Sequence, residues 1–403
     1  MKQWYLIAGI LGLGLLLYWL TNGLRQPRYN DEIHFWNASM LFALTGWPTR
    51  NLLISYGELN TPLPFMVFGW AENAFHGHIP GARLVNLVGG LATLLAIGVI
   101  GKKQPFLAGM AILGVLLNPY FYITALYLYT DCLPIFLVVL GLLAYHRGWY
   151  WSMAVAFGLA ICGRQFMVIF PAGILLWEGV PALLTFAKKG HLPNPGQVRL
   201  LVTNALACGV LLAWRLFWGD WAQPSEVDGQ HIATQSWHPE FALYGLACMG
   251  GYFALPLELM HRLVPPLRPA VPPALPVRAT LLLVLAVGVL CSVYVIEPAN
   301  QIVDLGPLER VLNRALRGVN QPQAIKQAVY AFFIVLALRR FRLLGLPGIW
   351  LVLQTVLWAK SHVGWDKYTY PLVVVYWFWL VVPAVTRSIP LLDVRREQFI
   401  NSR

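Results

Sequence analysis

The segment WYLIAGILGLGLLLYWL (Trp4–Leu20) is followed, after a short polar stretch, by YNDEIHFW (Tyr29–Trp36). The first segment has no charged residue. Its length is close to the stretch of about 20 apolar residues that a helix needs to cross a bilayer. It follows Lys2 and lacks a small-residue cleavage site, so we expect an uncleaved first span. The second segment places two adjacent carboxylates, Asp31 and Glu32, directly after the predicted exit from the membrane.

The composition of the whole chain is that of a membrane protein. Of 403 residues, 58% are hydrophobic and 11% are charged, whereas about 25% of residues in soluble domains are charged. The formal net charge of +12 arises from basic residues in short loops between apolar runs. Such loops orient a chain in the membrane, so we expect membrane lipids and no nucleic acid as partners. The five cysteines lack any CxxC or metal-ligand spacing, which argues against a zinc site.

We predict an all-α, polytopic integral membrane protein, with one transmembrane domain over residues 1–403 and about twelve spans. The predicted spans are 4–21, 82–101, 105–123, 130–146, 149–162, 165–180, 199–218, 240–258, 278–296, 327–341, 344–358 and 369–386. Twelve spans with both ends in the cytoplasm obey the positive-inside rule. The pattern over 149–180 leaves open whether that region is one long helix or a tight pair.

Residues 22–81 are expected to form a large first external loop with interfacial helices. Within it, the apolar run Pro62–Phe75 is too short to span a membrane and contains two prolines. It is therefore predicted to be an interfacial or re-entrant helix. The proline-rich stretches 192–196 and 264–276 are predicted to be stiff connectors.

Polar residues gather at one predicted face of the membrane. Most of the seventeen carboxylates fall at helix ends on the predicted external side, whereas the middles of the helices are almost purely apolar. A transporter would instead place ionisable residues at the midplane, so a reaction site at one face is favoured. Arg83, Arg164 and Lys367 fall on the same face. A buried arginine needs an anionic partner, either a substrate phosphate or a carboxylate at a helix end.

Several other stretches follow YNDEIHFW in a fixed order. They are FGWAENAF with ARLVNL (68–87), PYFYITALYLYTD (119–131), GRQFMVIF (163–170), WGD with HPEFALY (218–244) and WDKYTYP (365–371). Together they resemble the GT-C class of membrane glycosyltransferases, which use polyprenyl-phosphate sugars. Within that class they are most similar to the dolichyl-phosphate-glucose-dependent α-1,2-glucosyltransferase family, which adds the last glucose to the lipid-linked oligosaccharide. The chain departs from that family at Phe166-Met167 and over residues 297–326.

The resemblance implies a GT-C fold and an inverting transfer of a hexose, glucose by analogy, from a polyprenyl-phosphate sugar to an external or luminal acceptor. The acceptor would be a glycan or a lipid-linked saccharide. The resemblance matches Asp31 to the catalytic aspartate of the class, which acts as general base; a helix N-cap is the alternative role. The enzyme would lie in a bacterial inner membrane or the endoplasmic reticulum, with its site facing the periplasm or lumen. We expect no cofactor and no metal, since the carboxylates are scattered without a DxD motif.

The other candidate residues are expected to bind substrate. Arg164 is the first candidate ligand for the phosphate, Lys367 the second and Arg83 the third, and Tyr368 would orient Lys367 or contact the phosphate. The full set is Glu32, Arg83, Asp131, Arg164, Gln165, Asp220, His238, Lys367 and Tyr368. Alternatives stay open for several of them, namely helix capping by Asp131 or Asp220, a structural ion pair for Arg164 and snorkelling for Lys367. A transporter or flippase of a lipid-linked sugar is the alternative function.

Overall fold

The computed structural model describes most of the chain, and its regular structure there is entirely helical. The described residues are 3–29, 31–190, 193–223, 236–264, 275–296, 306–340, 345–361 and 364–386. Of the predicted proline-rich connectors, most of 264–276 and the first residue of 192–196 lie outside these ranges, as does the first part of 297–326.

The described α-helices are numbered here in chain order. They are α1 Gln3–Leu20, α2 Glu32–Thr45, α3 Arg50–Ser55, α4 Leu63–Phe75, α5 His78–Ile100, α6 Pro105–Leu116, α7 Pro119–Leu126, α8 Cys132–Arg147, α9 Tyr150–Gly163, α10 Ile169–Lys189, α11 Pro195–Trp218, α12 Pro239–Met249, α13 Leu255–Leu263, α14 Val277–Val293, α15 Pro307–Ala315, α16 Pro322–Arg340, α17 Leu346–Ala359 and α18 Tyr370–Thr386.

A helix overlaps each of the twelve predicted spans. In the described part of the chain, five helices are long and apolar enough to cross a membrane, and a sixth span is possible if α6 and α7 are counted together. Four further apolar helices, α8, α9, α14 and α17, are shorter than that criterion requires. The protein is therefore an integral membrane protein whose described residues form helices and no strands. The number of twelve crossings stays a prediction.

Three breaks shape the helices of the bundle. The region 149–180 is a pair of helices, because α9 ends at Gly163, Arg164 is extended, and a 3₁₀ turn, Gln165–Val168, leads into α10. Helices α6 and α7 are bent by 75° at the break between them. A π-helical segment, Gly250–Ala254, joins α12 to α13. Such π segments are rare and often occur near functional sites.

The described helices form two apolar clusters. The larger cluster has α18 at its centre, where Leu372–Val375 are fully buried. The smaller cluster joins α2 and α4 of the predicted external loop with the segment that precedes α8, including Tyr129. Helices α2 and α4 approach closely at Gly69, where a Cβ atom would lie 2.6 Å from the carbonyl oxygen of Ser39. The candidate site lies where these two clusters meet.

Candidate functional site

The exit from α1 is fixed by an ion pair with α5. The chain leaves α1 through the left-handed residues Asn22, Gly23 and Leu24. The Arg83 side chain, on α5, donates from Nη1 to the carbonyl oxygens of Leu24 at 2.9 Å and of Gln26 at 2.8 Å. The Arg83 guanidinium therefore supplies hydrogen-bond donors to backbone carbonyl oxygens that lose their helical partners where the chain turns out of α1.

The same guanidinium grips Glu32 at the start of α2. Arg83 Nε donates to Glu32 Oε1 at 2.8 Å and Nη2 donates to Oε2 at 2.6 Å. The carboxylate also accepts the backbone N–H groups of Tyr29 at 2.7 Å and Leu128 at 2.6 Å. Both side chains are buried and bonded on every side. Substrate binding by Glu32 and Arg83 stays a prediction, but this geometry favours a positioning role, because no polar atom of the pair is left for a ligand.

Asp31 directly precedes this fixed point. It occupies the N-cap position of α2, yet its side chain makes no capping hydrogen bond. Among the described residues, its partly exposed carboxylate makes no hydrogen bond or ion pair. The negative charge of Asp31 adds to burial in raising the pKa of Tyr129, which places the two side chains near one another. A carboxylate held at a fixed helix start with its oxygens unoccupied is suited to accept a proton.

Arg164 and Asp131 form a second buried ion pair. Arg164 Nη2 donates to Asp131 Oδ2 at 2.7 Å, and Nη1 donates to Asn60 Oδ1 at 2.5 Å. The pair is incomplete, since Arg164 Nε and Asp131 Oδ1 are buried without a hydrogen-bond partner in the part of the chain that the structure describes. Gln165 donates to the carbonyl oxygen of Leu59 at 2.6 Å. A structural ion pair was the alternative role expected for Arg164. The pair leaves the Nε–H donor of Arg164 without an acceptor among the described residues.

Lys367 is the most unusual charged residue of the site. It is 3% exposed and lies in the 3₁₀ turn Asp366–Thr369 that leads into α18. Its Nζ is 3.8 Å from the ring centre of Trp365 and 4.8 Å from that of Tyr129. No carboxylate among the described residues forms an ion pair or hydrogen bond with this ammonium. Burial lowers the pKa of Lys367 to about 8.

Several charges converge on this ammonium. Asp131, Arg164, Asp31 and Glu58 all act electrostatically on Lys367, so the four side chains lie in its vicinity. Tyr368 is edge-on to Phe166, with 5.9 Å between the ring centres, and borders the same space. The structure thus brings together Asp31, Asp131, Arg164, Lys367 and Tyr368 from distant parts of the sequence.

Sequence reasoning did not assign three residues that belong to this group. Glu58 and Asn60 lie between α3 and α4, and Tyr129 precedes α8. A polar stretch, GELNT, within a predicted interfacial region was the signal for the first two. Tyr129 gave no signal, because an aromatic residue near a membrane boundary is expected as an anchor.

Two predicted site residues make local contacts instead. Asp220 accepts the backbone N–H of Trp221 at 2.6 Å, and the His238 ring lies 3.0 Å from Glu240. The His238 backbone N–H also donates to the carbonyl oxygen of Ala359 at 2.7 Å. The role of Asp220 and His238 in substrate binding stays a prediction.

Asp366 connects the 3₁₀ turn that contains Lys367 to helix α15 through hydrogen bonds. Its buried carboxylate accepts hydrogen bonds from Tyr120 and, at 2.6 Å, from Tyr252. The Tyr252 hydroxyl accepts the backbone N–H of Leu308 at 2.9 Å, at the start of α15. Gly306, which precedes α15, packs directly on the Asp366 carboxylate.

This close approach gives a test of the packing. In Gly306→Ala the new Cβ would overlap the Asp366 carboxylate, so α15 or the turn must move. We expect a loss of about 1–3 kcal/mol in stability, the usual cost of overpacking, seen as a lower Tm of the purified protein. Gly288→Ala in α14 is the matched control, because its Cβ would meet nothing within 4 Å. Equal Tm values for the two variants would contradict the described packing.

No group of three His, Cys, Asp or Glu side chains in the described residues could hold a metal ion. The expectation of a metal-independent reaction stays a prediction.

Comparisons with known proteins add a distant structural likeness. No protein-family model and no curated protein matches the chain. Among solved structures, ArnT from Cupriavidus metallidurans bound to undecaprenyl phosphate is 13% identical, with a TM-score of 0.42, over 95% of this chain and 60% of that chain. The apo structure of the same protein is 14% identical, also with a TM-score of 0.42, over 93% of this chain and 76% of that chain. The chain thus spans 60% of the length of the first of these structures.

Proposed function

We propose that this protein is a GT-C type glycosyltransferase that moves a hexose, glucose by resemblance, from a polyprenyl-phosphate sugar to a glycan or lipid-linked acceptor. The observation that carries the proposal is the buried ammonium of Lys367. Within the described residues it forms no ion pair with a carboxylate, and the carboxylate of Asp31 acts on it electrostatically. A buried cation without an anionic partner is costly unless a ligand supplies the anion. A lipid phosphate at the membrane face supplies such an anion.

The proposed reaction is a single displacement. The acceptor hydroxyl oxygen attacks the anomeric carbon and forms the new glycosidic bond, while Asp31 takes the hydroxyl proton. The bond between the anomeric carbon and the phosphate oxygen breaks, and its electron pair leaves with the lipid phosphate. One displacement inverts the anomeric configuration. No covalent enzyme intermediate and no metal are needed in this scheme.

Lys367 and Arg164 would stabilise the leaving phosphate. Lys367 supplies a positive charge, and the unused Nε–H of Arg164 supplies a directed donor. Asp131 already neutralises much of the guanidinium charge, so Lys367 is the stronger attractor. The aromatic rings of Trp365 and Tyr129 exclude water from the ammonium and thereby strengthen its attraction for phosphate.

The affinity for polyprenyl phosphate should depend on pH with a definite sign. The pKa of Lys367 is lowered to about 8, so the free protein carries the charge below that pH and loses it above. We therefore expect Kd to rise as pH passes through about 8, well above the pH of about 6 at which a phosphate monoester gains its second negative charge. Titration of polyprenyl phosphate into the protein in nanodiscs, at a series of pH values, measures this directly.

Two variants at the same position sharpen that experiment. Lys367→Met should weaken binding at pH 7 by about tenfold or more, since a hydrogen bond to a charged group contributes about 1.5–3 kcal/mol. Lys367→Arg keeps the charge at all these pH values and should remove the rise above pH 8. If the Kd of Lys367→Met for polyprenyl phosphate equals that of the wild type, the proposal that Lys367 binds the phosphate is wrong.

A transporter or flippase of a lipid-linked sugar is the second candidate. It would also need a site for the lipid phosphate, but it would have no need for a proton acceptor at Asp31. Movement of lipid-linked sugar across proteoliposomes without hexosyl transfer would favour it. We further propose an integral location in a bacterial inner membrane or the endoplasmic reticulum, with the site facing the periplasm or lumen.

A further inference from the structure

Three buried polar atoms in the vicinity of Lys367 have no hydrogen-bond partner among the described residues. They are Tyr129 Oη, Asp131 Oδ1 and Arg164 Nε. A buried donor or acceptor without a partner is costly, and folded proteins contain few of them. Arg164 Nε is the donor proposed above for the leaving phosphate. The other two atoms have no role in that scheme.

The position of the Tyr129 side chain is fixed by the residues around it. The buried Asn86 side chain donates to the carbonyl oxygens of Tyr127 and Tyr129, at 2.8 Å each. The Tyr129 ring is edge-on to Phe35, with 5.8 Å between the ring centres. Since Tyr129 is fully buried, its hydroxyl cannot turn outward to bulk water for a partner.

The Tyr129 side chain borders both groups that the proposed reaction needs. Its ring centre is 4.8 Å from the Nζ atom of Lys367, the proposed phosphate ligand. Among the neighbouring charges, Asp31, the proposed base, has the largest effect on Tyr129. In a single displacement the transferred sugar lies between the leaving phosphate and the acceptor hydroxyl. Tyr129 is therefore placed beside that sugar.

The two unpartnered oxygens fit a sugar hydroxyl better than a phosphate. Burial and the negative charges of Asp31 and Asp131 raise the pKa of Tyr129, so its hydroxyl keeps its proton and can donate. An ionised phosphate oxygen can accept from Tyr129, but it has no proton to donate to Asp131 Oδ1. A sugar hydroxyl has one donor and two acceptor positions, so it can satisfy both atoms at once.

We propose that Tyr129 and Asp131 together bind the C2 hydroxyl of the transferred hexose. This hydroxyl accepts a hydrogen bond from Tyr129 Oη and donates one to Asp131 Oδ1. The phosphate leaves from C1, so the C2 hydroxyl is the first sugar hydroxyl within reach of a residue beside the phosphate ligand. In glycoside hydrolysis, hydrogen bonds to the C2 hydroxyl strengthen in the transition state. The proposal rests on the proposed glycosyltransferase function and names the part of the donor sugar that is recognised.

Two donors that differ only in the C2 hydroxyl test the proposal. Polyprenyl-phosphate glucose and its 2-deoxyglucose analogue are titrated into the full chain in nanodiscs. We expect the wild type to bind the glucose donor about tenfold more tightly, because the analogue leaves a buried carboxylate oxygen without its hydrogen bond.

Tyr129→Phe keeps the ring beside Lys367 and removes only the hydroxyl. This variant should lose most of the preference, through weaker binding of the glucose donor, and its affinity for polyprenyl phosphate should be unchanged. Tyr244→Phe is the matched control, because the Tyr244 hydroxyl in α12 is also buried without a hydrogen-bond partner in the described part of the chain. The control should keep the full preference.

The outcomes separate this proposal from the proposed function. Equal Kd values of the wild type for the two donors, or an undiminished preference in Tyr129→Phe, would overturn the sugar contact. A lower Tm of Tyr129→Phe with an unchanged ratio of the two Kd values would show a structural role instead. Equal weakening of polyprenyl phosphate and of the glucose donor would assign the hydroxyl to the phosphate and also overturn the proposal. A wild type that binds no polyprenyl phosphate would overturn the proposed function itself.

Discussion

Asp31→Asn is expected to lower the rate of hexosyl transfer by about 10²–10⁴-fold, the usual contribution of a general base. The carboxamide keeps the size of the side chain but cannot take the acceptor proton. Binding of the lipid-phosphate donor should stay near the wild-type value, since the phosphate ligands are elsewhere. The fold should also be kept, because the Asp31 side chain makes no capping hydrogen bond.

The measurement is transfer of radiolabelled hexose from synthetic polyprenyl-phosphate glucose or mannose by purified protein, with donor binding followed in the same preparations. Glu178→Gln is a matched control for the loss of a carboxylate. Glu178 lies in α10 and accepts a hydrogen bond from Tyr145 at 2.7 Å, which a glutamine can also accept. Undiminished transfer by Asp31→Asn would remove Asp31 from the mechanism and leave Glu58 as the carboxylate to test next.

Arg83→Met is expected to cause the largest loss of stability of any single change considered. It leaves the Glu32 carboxylate buried with no cation beside it. Removing one partner of a buried pair costs about 3–5 kcal/mol. The backbone at Leu24 and Gln26 also loses its donors, so the exit from α1 should loosen. We expect a marked fall in Tm and in the yield of folded protein.

A double replacement separates the effect of the unpaired charge on stability from the effect of the altered side-chain shape. Glu32→Leu combined with Arg83→Met removes both charges, so the double variant should be more stable than Arg83→Met alone. Arg83→Lys keeps the charge but not the fork of donors, and we expect an intermediate Tm. Thermal unfolding in one detergent compares all three. A wild-type Tm for Arg83→Met would contradict the structural role of the pair.

The sequence is informative where a feature depends on local pattern. A helix overlaps each of the twelve apolar runs of helical length, because the membrane requires backbone hydrogen bonds to be satisfied within the segment. No such run marked α2, α3 or α15. The charged residue Arg164 in an apolar run marked the break between α9 and α10. The gathering of carboxylates at helix ends predicts a site on that side of the bundle, and the site itself stays a prediction.

Pairings between distant segments were not predictable in the same way. Glu32 and Arg83 are separated by 51 positions, and Tyr120 and Asp366 by 246. Which cation meets which carboxylate depends on helix packing, and no periodicity encodes it. Sequence reasoning therefore ranked Arg164 above Lys367 as a phosphate ligand. The structure gives Arg164 a carboxylate partner and leaves Lys367 among aromatic rings.

Four helices begin at the candidate site, and their direction has an electrostatic consequence. Helix α2 starts after Asp31, α8 after Asp131, α10 after the turn that follows Arg164, and α18 after the turn of Lys367. The aligned peptide dipoles of a helix place about half a positive charge at its N-terminus. Dissolved ions screen this potential poorly where the surroundings are buried and apolar. The affinity for a lipid phosphate should thus be nearly independent of ionic strength.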